Sequence, residues 1–158
     1  GYSTLTLIFP RCTMQTFLPY EDFQRTAECL DIQRLGKQRV ETLQILRTLY
    51  GIKDGWRNHP AVKMWKGYEI ALAAYGTIIC DHYTTYRTKS GRRYRDTCAQ
   101  KIFDLCKEHS GDDRLTLPPW LGDENFHRSH QSNLLRKNEE HYRRFFPDVA
   151  DDLDYVWP

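Results

Sequence analysis

LDIQRLGKQRVETLQ, residues 30–44, decides how the rest of the chain is read. Followed on to Tyr50, its apolar side chains at Ile32, Leu35, Leu43, Leu46 and Tyr50 fall on one stripe at the 3.6-residue period, which predicts an amphipathic helix. Arg39 interrupts that stripe. A guanidinium there is costly unless it snorkels to the edge or pairs with a carboxylate or a phosphate. On the opposite side Glu41 follows Lys37 by one turn and Arg34 by two, so it is expected to ionise easily. Such a carboxylate suits the stabilisation of a developing cation, and an ordinary helix salt bridge worth a few tenths of a kcal/mol reads the same way.

Working outward, a first helix is predicted over residues 22–49, with Gly51 and Gly55 marking the turn after it. A second begins at Pro60, a residue suited to the first helical position, and its stripe runs through Trp65, Tyr68, Leu72, Tyr75, Ile79 and Tyr83. Ser90 and Gly91 break the pattern into a loop before a third helix over residues 96–109. The prolines of LTLPPW exclude a helix there, Asp123 can cap a fourth, and Asn138 can start a fifth that ends before Pro147. The aromatic tail DDLDYVWP is expected to dock as an extended strap. Alternation of strand type is absent after Met14, so the fold class is all-α: a compact bundle of four to five helices with long loops and an extended C-terminal tail. Residues 14–158 are expected to form one domain and residues 1–13 an N-terminal extension of separate origin.

A chain of 158 residues buries roughly two thirds of its unfolded surface, enough for one core without staples. The net charge of +2 does not by itself identify a nucleic-acid binder, so that reading depends on where the charges sit. The five cysteines contain no CxxC pair and leave one over if bridged, the pattern of reduced thiols in a cytoplasmic protein. A run of about 20 apolar residues, long enough to span a bilayer, does not occur. The opening GYSTLTLIFPRCT lacks the basic start and small-residue cleavage site of a signal peptide.

Three constellations can carry chemistry. YRTKSGRRYR gathers Arg87, Lys89, Arg92, Arg93 and Arg95 between Tyr86 and Tyr94, the composition of a loop that grips phosphates and stacks bases, or of a solvated basic turn. GWRNHP places Arg57 and His59 at a helix start, where unpaired amides favour an anion; a capping or packing histidine is the plainer reading. FHRSHQSNLLRK puts His127 and His130 on one helix face beside Arg128, Arg136 and Lys137. A third metal ligand of recognisable spacing is missing, so no metal or other cofactor is expected, and the pair is read as handling phosphate or protons, or as satisfied polar residues.

The blocks MQTFLPY, LDIQRLGKQRVETLQIL, NHPAVKMWKGYE, PPWLGDENFHRSHQSNLLRK and DYVWP resemble a family of small bacterial and phage proteins akin to the pyrimidine-dimer DNA glycosylase (endonuclease V) group. The resemblance implies an all-α fold in which the N-terminal amine attacks the sugar C1′ and releases a damaged or modified base. It also implies an imine whose β-elimination cuts the strand. On this pattern the catalytic glutamate falls on Glu41, and the amine on Met14 if the chain starts there. Arg34, Arg39 and Arg136 are implied as candidates for the phosphate-gripping arginines, joined as DNA contacts by Lys37, Arg57, His59, Arg92, Arg93, Arg128 and Lys137 from the basic segments. The expected partner is double-stranded damaged DNA, bound by a monomer with no membrane attachment. Two other readings stay open: a nucleic-acid-binding protein of the same fold without catalysis, and another base- or nucleotide-modifying enzyme built on His127 and His130.

Overall fold

The structure, a computed structural model, describes residues 14–112 and 114–158. Seven helices and no strand occur among them: α1 (Phe23–Cys29), α2 (Ile32–Leu49), α3 (Pro60–Lys63), α4 (Glu69–Tyr83), α5 (Cys98–His109), α6 (Glu124–Lys137) and α7 (Glu139–Tyr142). The all-α expectation holds, and the helix count rises because two predicted helices are broken.

The first break separates α1 from α2. Asp31 sits at the start of α2 in extended geometry and makes no capping bond, because its carboxylate accepts the hydroxyl of buried Tyr142 instead. The Asp31 amide in turn donates to the Tyr142 oxygen at 3.0 Å. Tertiary pairing to α7 thus overrides the local preference to continue the helix. The second break lies between α3 and α4, where Gly67 adopts φ +88°, a left-handed geometry open to glycine at no steric cost. The predicted stripe therefore belongs to α4 from Glu69 onward, while Trp65 turns into the core and donates its indole N–H to Thr16 Oγ1 at 2.9 Å.

Helix α2 is the axis of the molecule and packs most extensively on α4, with α5 completing the group. Gly76 makes that approach possible. A Cβ built on it would lie 2.5 Å from Thr42 Cγ2 and 3.0 Å from Ile102 Cδ1, so the two helix backbones meet over a missing side chain. Changing Gly76 to Ala is accordingly expected to destabilise the fold by about 1–3 kcal/mol despite alanine's better helix propensity, which thermal melting would show as a lowered Tm.

The sequence did not foretell that the segment after Met14 would be part of the core. Met14, Gln15, Thr16, Phe17 and Leu18 are all buried in an extended run with no helical or sheet partner. Buried peptide groups must find partners, and here side chains provide them. Gln38 accepts the Phe17 N–H at 2.8 Å, His130 accepts the Leu18 N–H at 2.9 Å, and His127 donates to the Leu18 carbonyl at 2.7 Å. Gln131 reaches the Pro19 carbonyl at 2.8 Å.

The tail docks as an extended strap over α6. Arg136 donates to the carbonyls of Asp151 and Leu153, Ser132 Oγ accepts the Leu153 N–H at 3.0 Å, and Ser129 Oγ accepts the Val156 N–H at 3.1 Å. Tyr155 then packs against His130 with ring centroids 5.4 Å apart. The four described cysteines are free thiols; Cys12 lies outside the described residues. No helix among the described residues is long and apolar enough to cross a membrane.

Candidate active site

The outward face of α2 carries Gln33, Lys37, Val40, Glu41 and Gln44, and these residues line a cleft of about 660 Å³ closed on its far side by Tyr83 and Tyr94. The same two tyrosines line a second recess of about 810 Å³ with Arg92, Arg93 and Arg95. The cleft beside Glu41 and the recess of the basic loop therefore share the Tyr83–Tyr94 wall.

Glu41 sits deep in this cleft, and its charge state differs from the expectation of easy ionisation. Burial pushes the carboxyl up to about 7, against the opposing pull of the Gln15 backbone N–H, Arg34, Lys37 and the Gln38 amide. Cations one and two turns away act through water, while loss of water acts on the carboxylate directly, so desolvation wins. A carboxyl at that value both accepts and releases protons at neutral pH.

The extended N-terminal segment lies against this carboxyl. The Gln38 side-chain N–H₂ donates at 2.8 Å to Glu41 Oε2 and at 2.8 Å to the Gln15 carbonyl. With the Gln15 amide also facing the carboxylate, the nitrogen of Met14, one residue back, comes within roughly 7 Å of it. The Met14 side chain is buried and so anchors that end of the segment. Lys137 comes from α6 to the same neighbourhood. Loss of water, then Arg34 and Lys37, lowers its ammonium from the ordinary value, with Glu41 pulling the other way.

Arg39 answers the puzzle of a cation in an apolar stripe. Its guanidinium pairs with Asp96 at 2.6 Å and lies over the Tyr83 ring at 3.9 Å. Asp96 also accepts the amides of Cys98 and Ala99 at the start of α5, at 3.1 and 2.9 Å. Burial raises the Asp96 carboxyl, but the bonds from Arg39, Ala99 and Cys98 outweigh it and leave it below its ordinary range. Arg39 thus takes the carboxylate partner of the two that its position called for, and fixes the cleft wall. Gly36 shares this work by letting the Tyr83 edge come within 3.3 Å of where a Cβ would stand.

The remaining sequence candidates divide clearly. Arg92 and Arg93 are exposed on a tight turn held by Thr88 N–H to the Arg92 carbonyl at 2.7 Å and Gly91 N–H to the Thr88 carbonyl at 2.9 Å. Gly91 is left-handed at φ +85°, so the loop is a shaped hairpin that presents its arginines. Arg136 is exposed on α6 and donates to the strap and to Asn133. His59 caps α3 by accepting the Ala61 N–H at 3.0 Å and packs edge-on against Trp56 and Trp157. Arg57 is exposed beside Asp54 at 3.3 Å, and Arg128 is exposed on α6; neither lines the cleft.

The structure brings His127 and His130 together on the Leu18 peptide. His127 Nε2 accepts the Gly122 N–H at 2.9 Å, so Nδ1 carries the proton given to the Leu18 carbonyl. His130 is completely buried, and burial, then His127, brings its imidazole down to about 3. A ring held neutral there is a hydrogen-bonding strut at ordinary pH. Among the described residues no group of three His, Cys, Asp or Glu side chains is placed to hold a metal ion.

Gln38 and Tyr75 were missed by sequence reasoning, although a signal existed. Both stand on apolar stripes, and an amide or phenol at such a position demands a buried partner.

No curated protein and no solved structure matches the chain. A family model does, over residues 14–99. That span starts at the buried segment and takes in Gln38, Glu41, the basic loop and Asp96, which are the parts from which the cleft is built. It covers more than half of the sequence, and the chain belongs to the pyrimidine dimer DNA glycosylase family.

Proposed function

We propose that the chain excises a damaged or modified base from duplex DNA and then cleaves the strand at the abasic site. The observation that carries the reading is the Gln38 amide bridging the Gln15 carbonyl and Glu41 Oε2, each at 2.8 Å. It ties the backbone next to Met14 to a carboxyl in a cleft whose tyrosine wall also borders the basic hairpin.

In a chain that begins at Met14, the free amine attacks C1′ of the deoxyribose. The glycosidic bond breaks with its electron pair going to the base, which leaves after protonation. The nitrogen gives up two protons, one balancing the proton taken by the base and one passing to O4′ as the C1′–O4′ bond breaks, which leaves the opened sugar as an imine. Removal of a C2′ proton then expels the 3′ phosphate. Glu41 as carboxylate stabilises the cationic sugar and, at a value near 7, can shuttle the protons. Arg34, Lys37 and Lys137 offset the phosphate charge around it, and Arg92 and Arg93 hold the flanking backbone. An extruded base fits the cleft between Glu41 and the Tyr83–Tyr94 wall.

Single-turnover incubation with three otherwise identical duplexes tests this. Cleavage is expected with one pyrimidine dimer or one abasic site, and not with undamaged DNA. Tight binding to all three with no cleavage would support the non-catalytic reading. The reading built on His127 and His130 is less well supported, because each ring bonds the Leu18 peptide through Nδ1 and His130 is completely buried. For the hairpin, changing Arg92 and Arg93 to Ala is expected to weaken binding to every sequence. The log–log salt slope should flatten by about one unit per lost contact. An unchanged slope would remove the hairpin from the interface.

A further inference from the structure

We infer that Gln38 is a positioning residue that locks the Met14–Gln15 backbone and the Glu41 carboxylate into one fixed geometry. The inference rests on the proposed imine chemistry and names the part that assembles it. Gln38 is 1% exposed, and its amide has every bonding position filled. Oε1 accepts the Phe17 N–H and the Tyr75 hydroxyl, both at 2.8 Å, and Nε2 donates to the Gln15 carbonyl and to Glu41 Oε2, again both at 2.8 Å. A backbone N–H can only donate and a carbonyl can only accept, so these partners fix which way the amide points.

Three consequences follow from that orientation. The extended segment is held to α2 at two residues of alternate position, Gln15 and Phe17, so it cannot slide by one residue without breaking both bonds. One Glu41 oxygen is tied by a donor, which holds the carboxyl plane. Tyr75 supports the hub from α4 by sharing its hydroxyl between Gln38 Oε1 and the Phe17 carbonyl, the latter at 2.8 Å. The other groups facing Glu41 are Arg34 and Lys37 from its own helix, Lys137 from α6, Tyr75 from α4 and Tyr155 from the strap. Gln38 is the side chain among these neighbours that bonds both the segment and the carboxylate.

Gln38→Glu tests this because it keeps the shape and the acceptor for Phe17 and Tyr75 while turning the donor into a second acceptor against Glu41 and Gln15. In the full chain without DNA, the ¹³C shift of the Glu41 side-chain carboxyl reports its titration. We expect the midpoint to rise by about one unit or more. In a chain beginning at Met14, the acid limb of single-turnover cleavage should follow, with the rate at neutral pH down about tenfold or more and DNA affinity little changed. Gln38→Met, matched in volume and without any donor, should also raise the midpoint and keeps the test open if the first variant does not fold. A midpoint unmoved in a folded variant overturns the inference, as does a rate loss fully explained by the unfolded fraction. The titration needs no substrate. A chain beginning at Met14, unaltered at Gln38, that cleaves nothing would therefore sink the proposed function while leaving the Gln38 measurement to be read on its own.

Discussion

Replacing Glu41 by Gln is expected to lower strand cleavage by orders of magnitude while DNA affinity stays the same or rises. Gln keeps the size and the bond to Gln38 but removes the charge that stabilises a cationic sugar in a site shielded from water, where such a charge counts most. Affinity does not suffer, because a carboxylate repels phosphate. The same substitution has a second, opposite effect on the fold. The carboxyl is raised from an ordinary 4.5 to about 7 by burial, so the folded state favours the protonated form. That contribution is fully present below pH 4.5 and is lost as pH rises through 7. Above pH 7 the native protein holds a poorly hydrated carboxylate that the Gln variant lacks, at a cost of no more than about 3 kcal/mol. Thermal melting at two pH values checks this: the variant melts several degrees higher at pH 8, by about 2–4 °C per kcal/mol, and level with the native protein near pH 4. Equal melting at both pH values would mean that Glu41 is not strained in the cleft.

The second large effect concerns the nucleophile. A chain starting at Met14 presents a free amine beside Glu41, and borohydride reduces the imine it forms with an abasic sugar to a stable covalent adduct. The same chain carrying residues 1–13 has a peptide nitrogen at Met14, which does not form an imine. Its trapping is expected to fall by about a hundredfold or more, the scale of losing a positioned nucleophile. Equal trapping of both forms would move the nucleophile elsewhere.

How much of this was legible in the sequence depends on the range of the interaction responsible. The α2 stripe, the caps at Asp123 and Asn138, and the loop around Gly91 are local features, and they were read correctly, though not that the loop is a hairpin. The splits at Asp31 and Gly67 were not, because Tyr142 from α7 and a left-handed glycine decide them. Glu41 was located by its neighbours one and two turns away, but burial, which raises its carboxyl to about 7, depends on the packing of other segments around it and does not show in that spacing. Arg39 was flagged as needing a partner. Asp96, 57 residues on, could not be chosen from spacing. His127 and His130 looked chemical because a peptide group over 100 residues away is invisible in sequence.

Peptide mapping of the borohydride-reduced adduct tests the central claim most directly. The attached sugar is predicted on the α-nitrogen of Met14 in a chain that begins there, with the yield collapsing in the Glu41→Gln variant. Attachment instead to the side chain of Lys37 or Lys137, the two lysines near Glu41, would contradict the assignment of the terminal amine as the nucleophile.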